Sequence, residues 1–246
     1  MIGTTVYNLV RGAWPDRLRT LARQACTSLL PTRCLLCAAP GAEGRDLCVA
    51  CNDALPRNLL ACPRCAIPMP VAGTCGRCLR RPPVLHGSHA AFVYAAPIDR
   101  LLPRYKFHQD LAAGRLLAGL MAQALSAAER PHALVPVPLH AARLRQRGYD
   151  QALELARPLA AAMGLPLEPD LLRRPRATAA QSDLGALARR RNLRGAFAVQ
   201  PGRPLPQHVA LVDDVMTTGA TLHAAAVALR RAGVQRVDAW VCARTP

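Results

Sequence analysis

Eight of the ten cysteines in this 246-residue chain form four Cys-x-x-Cys pairs: Cys34/Cys37, Cys48/Cys51, Cys62/Cys65 and Cys75/Cys78. The gaps between pairs are ten, ten and nine residues. Each pair places two thiolates on one tight turn, and a second turn completes a tetrahedral ligand set, so the eight cysteines suit two zinc ions. A disulfide framework is the rival reading, unsupported by any export signal; iron–sulfur ligation is another. Sequential pairing would group Cys34, Cys37, Cys48 and Cys51 around one ion and Cys62, Cys65, Cys75 and Cys78 around the second. Interleaved pairing would cross these sets, and the short gaps favour the sequential form. Cys26 and Cys242 lack a paired neighbour and read as buried small hydrophobes.

A second constellation lies near the C-terminus, in Val209-Ala-Leu-Val-Asp-Asp-Val-Met-Thr-Thr-Gly-Ala-Thr221. An apolar strand delivers two adjacent carboxylates, Asp213 and Asp214, and a turn of small residues then opens into a helix. The amides of that turn and helix start form a cradle for a phosphate dianion. Thr217, Thr218 and Thr221 add hydroxyl donors around Gly219 and Ala220. The aspartates stand where they would accept hydrogen bonds from a vicinal diol, so a five-carbon sugar 5-phosphate fits. Neither a dinucleotide fingerprint nor a P-loop is present. An acidic helix cap would explain one aspartate but not the pair with its Thr-Thr-Gly-x-Thr turn.

The elements that must position these groups follow from periodicity. An amphipathic helix is expected at 18–30, ended by Pro31. Strands are expected at 90–95, 133–137, 208–212 and 237–242, with an edge strand at 197–199. Helices are expected at 111–128, at 149–163 with a kink at Pro158, and at 220–231 closed by Gly233. Lys106 falls between the first strand and the first helix. Short strands alternating with longer helices predict an α/β domain with a mostly parallel sheet flanked by helices. Ligands in that architecture bind at the carboxyl ends of strands, here after Tyr94, Val137 and Val212. The expected organisation is an N-terminal extension (1–33), a double zinc ribbon (34–79) held together by its metal, a polar connector at 80–83, and the α/β domain (84–246). An Arg-rich hood is expected at 171–203, a segment with eight arginines and one acid.

The chain carries 32 Lys+Arg against 15 Asp+Glu, a formal charge of +17, and Lys106 is its only lysine. Two zinc-bound sets of four thiolates would lower the charge to about +13. The balance attracts polyanions, including phosphate esters and nucleic acids. Aromatics make up only 4%, so single-stranded DNA would be held through its backbone and in a salt-dependent way. No apolar run reaches membrane-spanning length; the nearest, 116–128, is interrupted by Gln123 and Ser126. The N-terminus has arginines but no signal-peptide apolar run, so a cytoplasmic protein is expected.

VALVDDVMTTGAT resembles the 5-phosphoribosyl 1-diphosphate binding motif of type I phosphoribosyltransferases. More narrowly, the chain resembles the ComF family, in which a double zinc ribbon precedes a phosphoribosyltransferase-like domain and whose members are also described as predicted amidophosphoribosyltransferases. VPVPLHAARLRQRGYDQA (135–152), AQSDLGALARRRNLRGAF (180–197) and Tyr105-Lys106-Phe107 carry the likeness further. Asp150 stands where the family usually has Asn, Asp183 where it has Gly, and Gln109 where a glycine is common.

The resemblance implies a magnesium-dependent phosphoribosyl transfer to a nitrogen acceptor, with Asp213 and Asp214 on the ribose hydroxyls. The diphosphate would fall to Lys106, to the turn of Pro138, Leu139 and His140, and to Arg143 and Arg147. These two arginines share a helical face, with Arg145 turned away. His140 serves proton transfer or a structural hydrogen bond. Gln181, Ser182, Arg189 and Asn192 would be polar contacts of a hood that closes over substrate. The family association further implies work beside a competence helicase in the uptake of single-stranded DNA. A non-catalytic DNA-binding role is the alternative, and self-association is left open.

Overall fold

The computed structural model describes residues 32–108, 110–175 and 195–246. They divide into two compact units between Asp53 and Ala54. In the first, the chain passes through Cys34 and Cys37, folds back through a bridge between Arg33 and Pro40, and ends in α1 (Val49–Asp53), a short helix that carries Cys51. Leu47 is its buried aliphatic residue.

The second unit opens with another Cys-rich segment, which contains α2 (Gly76–Arg80), and the connector at 80–83 lies within it. The chain then enters β1 (Gly87–Val93), α3 (Ile98–His108), α4 (Leu111–Ala124) and β2 (Ala133–Pro136). After α5 (Ala141–Arg147) and α6 (Gln151–Met163), β3 (Leu172–Arg173) pairs antiparallel with β4 (Ala198–Val199). The unit ends with β5 (His208–Met216), α7 (Ala220–Ala232) and β6 (Arg236–Arg244). The main sheet has the order β1-β6-β5-β2 and is parallel throughout.

Strand alternation sorts the core. Val209 and Leu211 of β5 and Val237, Ala239 and Val241 of β6 cluster with Leu222, Ala225, Ala226 and Leu229 of α7. The intervening residues, Ala210, Val212 and Trp240 among them, face the other way, where α4 and α6 pack on each other and on the sheet. Each fully buried Leu or Val contributes about 1.5–3 kcal/mol. Cys242 is fully buried in β6, as its small apolar character predicts, while Cys26 and the 18–30 helix lie outside the described residues.

Three expectations change. First, 98–108 is a helix, so Lys106 sits on α3 and not on a connector. Its apolar stripe, Ile98, Leu101, Leu102 and Tyr105, has helical spacing and is buried, but Pro103 inside it masks the pattern. Second, β5 runs four residues past Val212 and carries both aspartates within the strand. Third, the second Cys-rich segment does not depend on metal alone. Cys62, Cys65, Ala66, Cys78 and Leu85 belong to the same apolar cluster as β5, β6 and α7.

Both edges of the sheet are sealed. Along β1, the Val93 N–H donates to the Pro56 carbonyl (2.8 Å), Ser88 N–H to Pro63 (2.9 Å) and Asn58 N–H to the Ala91 carbonyl (3.1 Å), so the metal-binding segment covers that edge. On β2, Leu134 N–H donates to Pro166 (2.8 Å) and its carbonyl accepts from Glu168 N–H (2.9 Å). Among the described residues no helix is long and apolar enough to cross a membrane.

At the opposite end of the strands from their carboxyl termini, Asp238, 1% exposed, meets His208 Nε2 at 2.8 Å and Arg236 Nη2 at 3.1 Å. Replacing Asp238 by Ala leaves a guanidinium and an imidazole without their buried acceptor and should cost about 3–5 kcal/mol. Urea titration measures this; a loss below about 1 kcal/mol would mean that the ion pair adds nothing beyond packing.

Candidate functional site

The cysteines assemble in sequential order. The ligand atoms of Cys34, Cys37, Cys48 and Cys51 lie within 4.8 Å of one another, and so do those of Cys62, Cys65, Cys75 and Cys78. None of the eight is in a disulfide. Four sulfurs about 2.3 Å from one ion must stand about 3.8 Å apart. The Cys37–Cys48 and Cys65–Cys75 sulfurs are separated by 3.6 and 3.7 Å. Backbone amides also aim at the sulfurs: Cys51 N–H at Cys48 Sγ (3.4 Å) and Cys75 N–H at Cys62 Sγ (3.3 Å). In both units the residue after the second cysteine, Ala38 or Ala66, has positive φ, so both turns use the same backbone. Both clusters fit structural zinc.

A cleft of about 610 Å³ opens at the carboxyl ends of the strands. Tyr94 beyond β1, Val137 to Leu139 beyond β2, and Asp213 to Leu222 from β5 into α7 all line it, as the fold class predicts. Successive residues of a strand project to opposite faces, so Asp213 and Asp214 enter the cleft from the two sides of β5. Asp214 is 6% exposed, and Lys106 Nζ stands 2.8 Å from its Oδ2. Burial and the neighbouring Asp214 charge push the Asp213 carboxyl above the usual carboxylate range, with Lys106 opposing.

Gly219 caps α7 at φ 75°, and no side chain caps the helix from that position. The positive φ favours glycine there, and the Met216 methyl packs over the position, 2.6 Å from where a Cβ would stand. Thr217, Thr218, Gly219, Ala220 and Thr221 all line the cleft. This is an anion cradle facing a diol-accepting pair of carboxylates.

Arg143 and Arg147 line the cleft from α5 and Arg145 is exposed outside it, as their spacing predicts. His140 is not among the lining residues: its Nδ1 accepts from Ala142 N–H at 3.1 Å and caps α5, which is the structural alternative. Gln181, Ser182, Arg189 and Asn192 lie outside the described residues, as does most of the 171–203 hood.

Arg174 escaped the sequence reading, and Asp150 was singled out there without a structural role. Arg174 stacks its guanidinium over Phe197 at 5.3 Å, and burial followed by the nearby Arg143 charge lowers its pKa. Nothing distinguished it from its 30 fellow arginines. Asp150 accepts from Leu139 N–H (2.9 Å) with one oxygen and from Leu153 N–H (3.2 Å) with the other, so it ties the turn after β2 to α6. Burial raises its carboxyl pKa, against the pull of those amides.

These features define a two-part protein: tandem four-cysteine clusters and a phosphoribosyltransferase-like α/β domain. A family model described as a double zinc ribbon domain matches residues 25–79. The chain is 35% identical over 228 residues to the DNA utilization protein YhgH of Salmonella typhi, covering 88% of this chain and 98% of that protein. It is 34% identical over 207 residues to Competence protein F of Haemophilus influenzae, covering 80% and 90%. A shorter match, 28% over 158 residues, joins it to Competence protein ComFC of Streptococcus pneumoniae, covering 64% and 68%. The chain belongs to the ComF family, with its competence-associated members.

The raised pKa of Asp213 has a consequence for stability. A carboxyl whose folded pKa exceeds its unfolded value of 3.8 favours the folded state fully below that value. The contribution is lost as pH rises through the folded pKa. Asp213→Asn should therefore be more stable than wild type at pH 7, by about 1 kcal/mol or more, and equal to it near pH 3. Thermal melts across that range test it; a gain independent of pH would contradict the titration argument.

Proposed function

We propose that this protein binds 5-phosphoribosyl 1-diphosphate with magnesium and transfers the phosphoribosyl group to a nitrogen acceptor, in the service of DNA uptake or nucleotide metabolism. The observation that carries the reading is the run from Asp213 to Thr221, where a strand-end carboxylate pair passes straight into a helix-start anion cradle inside one cleft. The 5-phosphate lies on the amides and hydroxyls of 217–221, and Asp213 and Asp214 accept from the ribose hydroxyls. The diphosphate points toward Arg143, Arg147 and Arg174, whose charge meets the negative charge that develops as the C1–O bond breaks. The electron pair leaves with diphosphate, a C1–N bond forms, and the acceptor's proton passes to the departing diphosphate or to solvent. Lys106 pairs with Asp214 and orients it until the diol arrives.

Magnesium would neutralise diphosphate charge. Such an ion binds through one or two carboxylates plus substrate phosphates, and Asp213 and Asp214 are carboxylates that line the cleft. Two bound zinc ions per chain complete the reading.

Calorimetry with 5-phosphoribosyl 1-diphosphate and magnesium tests it. Wild type should bind, and Asp213→Asn with Asp214→Asn should weaken binding at least about 10-fold, through lost hydrogen bonds to the ribose hydroxyls. Diphosphate release across an acceptor panel then tests turnover. Binding without acceptor-dependent release removes the transfer step, and no binding removes the site.

A second reading has its own observation. α5 presents Arg143, Arg145 and Arg147 within seven residues, beside Phe107, which is 64% exposed with the Arg147 guanidinium 5.6 Å from its ring centroid. The relatives' names, DNA utilization and competence, point to DNA. In this reading a single strand is gripped at its phosphates and a helicase acts nearby. Three arginine contacts predict a slope near −2 in log affinity against log salt, at about −0.7 per phosphate. Oligonucleotide titrations from low to physiological salt measure it; a flat salt response excludes the grip.

A further inference from the structure

The second cysteine cluster and the phosphate turn share one side chain. Arg244, the last residue of β6, is 3% exposed. Its Nε donates to the Cys65 carbonyl at 3.0 Å, and its Nη1 donates to the Met216 carbonyl at 3.1 Å and to Thr245 Oγ1 at 3.1 Å. Cys65 is a ligand of the second cluster, and Met216 is the residue before the phosphate turn.

Met216 governs that turn from two directions. It precedes Thr217 in the chain, and its terminal methyl packs against Gly219, the start of the helix. Its carbonyl accepts from Thr245 N–H (3.2 Å) as well as from Arg244. On the other side, Cys65 lies in a tight turn, closed by Cys65 N–H and Ala66 N–H to the Cys62 carbonyl at 3.3 and 2.8 Å. A metal ion binding Cys62 and Cys65 fixes the direction of the Cys65 carbonyl.

We infer that Arg244 is a positioning residue that couples metal occupancy of the second cluster to the geometry of the phosphate turn. With the metal in place, one guanidinium spans two fixed carbonyls and holds Met216 where the turn needs it. Without metal, the Cys65 carbonyl moves, and a buried guanidinium that loses an acceptor must find another. The Met216 carbonyl and the amides of 217–221 then lose their reference. Four thiolates and one dication also carry a net charge of −2 beside the buried Arg244, so loss of the metal disturbs its electrostatic surroundings as well. The inference extends the sugar-phosphate reading, since the turn it controls is that reading's phosphate site. Coupling of this kind is reciprocal: a ligand in the turn must tighten the metal.

The test uses the full-length protein loaded with two zinc ions and follows zinc transfer to a colorimetric chelator, with and without 5-phosphoribosyl 1-diphosphate and magnesium. In wild type the ligand should slow release of one ion about fivefold or more and leave the other unchanged. Arg244→Gln, started with both ions bound, should lose that slowing. Arg244→Lys, which keeps the charge but cannot span both carbonyls, should retain only part of it. Hydrogen exchange gives a ligand-free reading: in wild type, zinc removal should speed exchange of the 217–221 amides at least about fivefold, and Arg244→Gln should do so with zinc present. Zinc release insensitive to a ligand that calorimetry shows to be bound would overturn the coupling, and so would turn amides indifferent to zinc. If wild type binds no ligand but the turn amides follow zinc, the coupling stands and the sugar-phosphate reading falls.

Discussion

Asp214 is a carboxylate held at the end of a buried strand, and such a charge persists only if a cation reaches it. Lys106 is that cation, and much of the unit consists of what keeps it there. Its helix, α3, is pinned at Tyr105 and at the backbone of Lys106. The Tyr105 hydroxyl donates to the Gln151 carbonyl, the Tyr149 hydroxyl donates to the Tyr105 carbonyl, and Gln151 Nε2 lies 3.5 Å from the Lys106 carbonyl. Gly114 of α4 makes room for the Tyr105 ring, which a Cβ there would meet at 2.7 Å. The packing of α3, α4 and α6 therefore ends in one ion pair at the cleft floor.

That arrangement divides the cleft by charge. The carboxylates stand at the carboxyl end of β5, and the arginines stand apart on α5 and beyond β3. A ligand with anions at both ends and hydroxyls between them matches this pattern, whereas a uniform polyanion would face Asp213 and Asp214 at its centre. A single strand of DNA would lie along α5, where Arg145 is exposed outside the cleft. The two readings thus share Arg143 and Arg147 and differ at Arg145, which only the DNA reading uses.

The sequence was legible where chemistry and periodicity agreed. The spacing of eight cysteines predicted two tetrahedral clusters, and the apolar run before Asp213 predicted the strand that delivers it. It was less legible where one residue contradicted its neighbours. Pro103 hid α3, although Ile98, Leu101, Leu102 and Tyr105 kept helical spacing. Arg174 was invisible because an arginine-biased chain gives no contrast among arginines, and only the fold brings it to the cleft. Arg244 was illegible for a different reason: its partners are main-chain carbonyls 28 and 179 residues away, and no side-chain pattern encodes those.

Asp150 shows how a departure from a family pattern can be read physically. An added carboxylate near a phosphate site should repel the ligand. Its two oxygens, however, each accept a main-chain N–H, one from Leu139 in the turn after β2 and one from Leu153 in the first turn of α6. The usual Asn has one acceptor oxygen and would turn an NH2 donor toward the second amide. Asp therefore joins two segments that Asn would leave joined by one bond, and it lies at a helix start, where a negative charge is favoured. Its charge is spent on the backbone that shapes the diphosphate turn. The repulsion on a phosphate is reduced by the two amides that already face the carboxylate.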